Sequence, residues 1–327
     1  MESLIFAVNA IAPIVLTVAL GYLLKKKSFM DEKFTKMANK LVFRVFLPCM
    51  LFLNIYKIET IGDIEFGFVI YAIGMGLVIF LLGVPAVILA TKQPERRGVL
   101  WQSIYRSNYA LIGIPLAQSL FGEAGAMTAS LLAAFVVPTF NICAVISLSV
   151  FQHTGKKVDV RKMLLDIAKN PLIQSIFAGL AVLCVRALFV KVGISFRFSD
   201  ITPVYTVFDY MSKMATPMAL LCLGSQFEFS AVAELRREIV FGVVARTVAV
   251  PMIGIGVAYL FFRDFGGAAF ASFIARFATP VAVSSVPMTQ EMDGDVTLAG
   301  QLVVWTTLIS ALSIFVVSFM LKAAGVF

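Results

Sequence analysis

The sequence is poor in charge: 14% of its 327 residues are Asp, Glu, Lys or Arg, and the mean hydropathy is +0.94. A soluble domain of this length needs a far more polar surface, so a soluble fold is excluded and the chain reads as a polytopic membrane protein. It has one histidine, His153, and neither an HExxH motif nor paired intramembrane aspartates. That removes the convergent acids, nucleophiles and metal ligands a membrane-embedded enzyme needs. The four cysteines, Cys49, Cys143, Cys184 and Cys222, stand singly in apolar runs with no CxxC or His-Cys spacing. They predict neither a disulfide framework nor a zinc site, and pack as small apolar side chains. No metal and no cofactor is expected. Acids are outnumbered by bases, 19 to 27, for a net charge of +8. In a soluble chain this would suggest nucleic acid; in a membrane chain basic residues collect in cytoplasmic loops and orient the spans, so no nucleic-acid partner is expected.

What the sequence has in quantity is apolar runs. The first, MESLIFAVNAIAPIVLTVALGYLLKKK, carries an acid before it and three lysines after it, the reverse of a secretory signal, and is expected to stay as a span. At about 20 residues per span, the chain divides into ten, near 4–24, 38–56, 67–91, 98–121, 126–151, 171–190, 203–226, 239–262, 266–288 and 297–321. With the first loop in the cytoplasm, fifteen loop lysines and arginines lie inside against five outside (Lys57, Lys191, Arg197, Arg263, Lys322), which puts both termini outside. The loop 152–170 is then cytoplasmic, and its VRKMLLDIAK segment is either a solvated connector or a short helix on the membrane surface.

The halves echo each other. Pro13 precedes Gly21 by eight residues in the first span, as Pro171 precedes Gly179 in the sixth; P-x-x-Q-x-x-x-G occurs as Pro115, Gln118, Gly122 in the fourth and as Pro287, Gln290, Gly294 in the ninth. Echoes five spans apart predict two five-helix repeats, residues 1–151 and 171–327 around a linker at 152–170, and an odd number makes them inverted. Proline removes a backbone donor and glycine loosens the turn. The fourth span is therefore expected to break near Gly113 to Pro115, and the ninth in ATPVAVSSVPMTQ, where Pro280 and Pro287 flank Ser284 and Ser285. Freed backbone is tolerated at membrane depth only inside protein or around a wet cavity, so paired breaks predict a site near the midplane, with positive half-helix ends that favour an anion.

Charges inside the spans are mostly cationic: Arg44, Arg106, Arg246 and Arg276, against Asp209, which with Lys213 one turn on forms a local helix pair or, alternatively, a proton relay. These arginines, foremost Arg276, four residues before Pro280, and Arg106, either neutralise an anionic substrate or serve the structure, snorkelling toward headgroups or bonding to carbonyls freed at the breaks. Asn141, just after Pro138, faces the cavity or a neighbouring helix. Gln118 and Gln290, related by the repeat, line the crossing or hold it together.

The motifs N-Y-A-L-I-G-I-P in the fourth span, K-N-P-L-I-Q-S-I-F-A-G-L at the start of the second half and the proline-rich ninth span resemble the auxin efflux carrier family, over essentially the whole chain. That family includes plant auxin exporters and bacterial carriers related to malonate and malate transporters. The resemblance implies an all-helical fold similar to the bile acid sodium symporters: a scaffold of spans 1, 2, 6 and 7, and a transport unit of spans 3–5 and 8–10 in which helices 4 and 9 cross. It further implies elevator-type movement of that unit, a homodimer formed through the scaffold, and binding of a substrate carboxylate by the asparagine seven residues before the GIP proline, here Asn108. The ninth-span prolines stand seven apart, wider than in the plant members, and the central loop is short, so control through a long loop is not implied. The expected function is secondary transport of a small organic anion across a bacterial inner (plasma) membrane. Malonate, malate and an auxin-like acid are all open as substrates, and a proton or sodium as coupling ion. A sodium-coupled symporter, a channel and a non-transporting sensor are the alternatives.

Overall fold

A computed structural model describes residues 2–57, 66–151, 165 and 168–326. His153 and most of the expected surface helix at 160–169 lie outside the described residues. Within them the chain is helical, with one isolated β-bridge and no strand. In chain order the helices are α1 (Glu2–Lys26), α2 (Glu32–Leu41), α3 (Leu47–Tyr56), α4 (Phe66–Ala90), α5 (Pro94–Tyr105), α6 (Ile114–Val150), α7 (Pro171–Lys191), α8 (Thr202–Gln226), α9 (Ala231–Glu234), α10 (Arg236–Val244), α11 (Val250–Phe261), α12 (Gly266–Phe277), α13 (Ser285–Glu291) and α14 (Val296–Ala323). Six continuous stretches among the described residues are long and apolar enough to cross a bilayer: Glu32–Tyr56, Phe66–Ala90, Tyr109–Val150, Pro171–Lys191, Arg236–Phe261 and Val296–Ala323.

Three of these stretches contain a π-helical segment: Val42–Phe46, Tyr109–Gly113 and Ala245–Ala249. Each ends two residues before a proline: Pro48, Pro115 and Pro251. Proline cannot donate to the carbonyl four residues back and its ring crowds that carbonyl. Widening the preceding turn relieves the clash and keeps the helix running. Proline in this chain therefore often bends a helix without ending it.

Glycine sets the other local features. Gly122 has φ +60° and ψ −150°, and with Phe121 it kinks α6 inside the stretch expected to hold two separate spans. A side chain there would be strained. The two echoed glycines permit close helix contact: the backbone of α1 at Gly21 lies directly on Leu221 of α8, and Gly179 of α7 faces Phe52 and Ile55 of α3. Without a hydrophobic drive between helices in lipid, such backbone proximity is the source of packing energy.

Candidate functional site

Two interruptions in the helices meet. Between α5 and the segment starting at Tyr109 the chain is non-helical over residues 106–108, with Arg106 extended at φ −89°, ψ 113°. Between α12 and α13 it is non-helical over residues 278–284. The two segments run antiparallel, with a bridge between Ser107 and Val281 and a hydrogen bond from Asn108 N–H to the Pro280 carbonyl at 2.7 Å. The first break thus lies upstream of the Gly113 to Pro115 position expected from sequence. The π turn absorbs Pro115, and the chain parts where Arg106 ends α5. The second half-helices begin at Tyr109 and Ser285, not after Pro115 and Pro287; Pro287 is the third residue of α13.

Breaking a helix leaves its last carbonyls without partners, and two arginines take them. Arg246, fully buried, donates Nε to the Thr279 carbonyl at 2.8 Å, Nη1 to Ile104 at 3.0 Å and Nη2 to Arg276 at 3.1 Å. One guanidinium therefore caps the ends of both first half-helices. Arg276 adds a bond from Nη1 to the Tyr105 carbonyl at 2.9 Å, and its guanidinium carbon lies 3.8 Å from the centre of the Phe140 ring. Of the two uses foreseen for these charges, bonding to freed carbonyls describes Arg246 and Arg276.

Arg106 differs. It lies in the break itself and lines a cavity of about 240 Å³ bounded by the crossing, by Leu47, Leu51 and Asn54 of α3's stretch, and by Ala215 and Thr216 of α8. Its Nη2 donates to Asn141 Oδ1 at 2.8 Å and Ser284 Oγ at 2.9 Å, and its Nη1 to Gln102 Oε1 at 2.5 Å. Asn141 in turn donates to the Val137 carbonyl at 2.8 Å, which fixes its oxygen toward the arginine. These partners are neutral. Carboxylate pairs lie elsewhere, among them Lys36 with Glu32, Arg44 with Glu291, Arg96 with Glu234, Glu238 and Asp295, and Lys213 with Asp209.

Asn108 lines the same cavity and is buried, yet its Nδ2 has no hydrogen-bond partner. Beside it are Tyr109, Ala110 and Leu111, whose N–H groups open a helix and so have no intrahelical acceptor. Of the residues singled out from sequence, the cavity brings together Arg106, Asn108, Asn141 and Ser284. Gly113 packs instead on Ala275, Pro280 holds the crossing, Ser285 and Pro287 are buried in α13, and Pro115 and Gln118 are exposed. Among the described residues no group of His, Cys, Asp and Glu could hold a metal, and the four cysteines are free.

Gln290 belongs to a second polar cluster. Asn39 Nδ2 donates to Gln226 Oε1 and Gln290 Oε1, both at 2.9 Å; Gln226 Nε2 reaches Gln290 Oε1 at 3.2 Å, and Gln290 Nε2 the Lys36 carbonyl at 3.2 Å. Sequence reasoning missed Asn39. It shares the buried face of α2 with Thr35 and Ala38, while Lys33, Lys36 and Lys40 and the apolar Phe34, Met37 and Leu41 are exposed, so no apolar stripe marks that face in the sequence.

Comparison with known proteins bears on the family. The sequence model of a family described as membrane transport protein matches residues 6–318. An uncharacterized transporter of Methanothermobacter thermautotrophicus is 20% identical over 309 residues, covering 94% of this chain and 95% of that protein. The family match runs over the same length as the resemblance carried by the span-four and span-nine motifs, and bears it out.

Proposed function

We propose that this chain, which belongs to the membrane transport protein family, is a secondary-active carrier that binds a small organic anion at the crossing. One observation carries the reading. The Arg106 guanidinium is buried among neutral acceptors beside Asn108, whose Nδ2 is buried without a partner, and both line one cavity. A buried cation without a counter-ion and a buried donor without an acceptor are both costly. A carboxylate offsets both, with one oxygen on the guanidinium and the other on the amide. The orphan N–H groups after Asn108 add to the pull on an anion.

The architecture we propose is ten spans in two inverted repeats, 1–151 and 171–327, joined by a cytoplasmic linker, with both termini outside the plasma membrane. Gly21 on α8 and Gly179 on α3 are related contacts of the kind such a repeat produces. P-x-x-Q-x-x-x-G likewise encloses the second half-helix in both halves: Pro115 sits near its start and Gly122 at its kink, Pro287 near its start and Gly294 just past its end. The cavity has one wall on helices of the scaffold (α3, α8) and one on the crossing, which supports movement of the crossing against that scaffold in an elevator cycle. Asn39 and Gln226 on the scaffold side and Gln290 on the moving side would part in each cycle.

A thermal-shift screen of carboxylates on purified protein, followed by uptake into proteoliposomes, tests the reading, since a ligand stabilises the state it binds. Stabilisation that depends on Arg106, together with saturable uptake, is expected. A flux linear in concentration indicates a channel, and stabilisation without flux a sensor.

A further inference from the structure

We infer that the site takes a single-headed carboxylate, a monoanion with an apolar body, and that Phe140 is the residue that enforces this by walling Arg276 off from the cavity. The inference rests on the anion reading above and goes one step further, to substrate class. A dicarboxylate carries two charges to compensate. Among the described residues, Arg106 is the one charged side chain of the cavity lining; the other polar groups, Asn54 and Thr216 on the α3 and α8 wall among them, are neutral and share the lining with Leu47, Leu51, Leu111 and Val137. A second carboxylate would find no cation there, and a buried charge without one is costly.

The chain does hold a second guanidinium close by. Arg276 is buried and keeps its Nε without a partner, but it does not line the cavity. Phe140 does line it, and the Phe140 ring is stacked on the Arg276 guanidinium at 3.8 Å. One residue therefore touches both the cavity and the arginine. The ring face satisfies the cation through its quadrupole while it offers the cavity an apolar surface. The rest of the guanidinium is held by the Tyr105 carbonyl and lies against Gly76. Selectivity against a second charge follows: the one cation a dicarboxylate could recruit lies behind an aromatic ring.

Matched pairs that differ by one carboxylate test this: phenylacetate against phenylmalonate, and butyrate against ethylmalonate, titrated by calorimetry and thermal shift into wild type, Phe140→Leu, Phe140→Ala and the double variant Phe140→Ala/Arg276→Gln. In wild type the monoanion of each pair should bind about tenfold or more tighter. Phe140→Ala should narrow or reverse that ratio, and removing Arg276 from it should restore the preference. Phe140→Leu keeps an apolar wall of similar bulk, so it should retain the preference, and it guards against reading a folding defect of the Ala variant as a change of selectivity. Equal or tighter binding of phenylmalonate and ethylmalonate by wild type, lost in Arg106→Gln, overturns the single-headed class and leaves the anion site standing. A gain of dianion binding in Phe140→Ala that persists without Arg276 overturns the role of Phe140. If wild type binds none of the four acids, the anion reading fails, and this inference with it.

Discussion

The two broken helices use the same device for different ends. In the first, the arginine sits in the break: Arg106 is extended, so its side chain leaves the line of α5 and enters the cavity. In the second, the arginine sits one turn earlier, in the last turn of α12. A helical side chain lies along its helix toward the preceding turn, and Arg276 meets the Tyr105 carbonyl at the end of the opposing half-helix. The second break gives the cavity Ser284 and backbone; the first gives it charge and a free amide. A few residues of register relative to the break decide whether an intramembrane arginine serves the ligand or the frame.

Substitutions can break or sharpen this contrast. The largest effect is expected at the frame. Arg246→Met leaves three buried carbonyls without donors, at roughly 1 to 3 kcal/mol each, and should lower stability by roughly 3 to 6 kcal/mol, read as a fall in the unfolding midpoint; Arg246→Lys should recover only part. An unchanged midpoint would mean that the half-helix ends do not depend on this cap.

The ligand side should behave in the opposite way. Arg106→Gln is expected to cost roughly 2 to 5 kcal/mol of carboxylate affinity with little loss of stability, because its present partners are neutral side chains. Asn108→Ala comes next, with a loss of about 10- to 150-fold in affinity, or roughly 1.5 to 3 kcal/mol, and a wild-type midpoint, since its Nδ2 bonds to no protein atom. Asn108→Asp should be harsher, because it sets a carboxylate against the anion. A destabilised Asn108→Ala with normal affinity would move Asn108 to the frame.

Smaller effects are expected away from the crossing. Gln290→Ala removes the acceptor shared by Asn39 and Gln226. It should cost about 1 kcal/mol of stability and raise the rate of exchange between states, measured as faster substrate counterflow. Asp209→Asn should change stability by less than about 0.5 kcal/mol, since the pair with Lys213 at 2.5 Å is a local one on α8 with Lys213 exposed.

Much of the fold was legible because membrane helices announce themselves through apolar length: each of the six long stretches among the described residues overlaps an expected span, Tyr109–Val150 joins two of them, and Glu32–Tyr56 starts well before the span expected at 38–56. The presence of two breaks was legible through Pro and Gly. The position of the first was not. Proline signals a lost donor, but whether the chain answers with a π turn or a gap depends on what waits to take the freed carbonyls, here Arg246 from a distant helix. The site was read in part for the same reason. Arg106, Asn108 and Ser284 lie in or beside breaks, Asn141 follows Pro138 inside α6, and the four do meet. The role of Phe140 and the cap by Arg246 depend on contacts across the fold, and Gln118 was lost because the repeat relation does not fix which face of a kinked helix turns outward.

The central claim is that the cavity between the crossing and the scaffold wall holds a carboxylate on Arg106 and Asn108. A cryo-electron microscopy structure with the tightest-binding acid from the screen tests it most directly. The account predicts carboxylate density within hydrogen-bond distance of the Arg106 guanidinium and Asn108 Nδ2, with the body of the acid toward Leu47 and Leu51. Ligand density elsewhere, such as the apolar groove that Gly83 and Ala86 of α4 form with Ala245 and Ala249, with this cavity holding no acid, would contradict it.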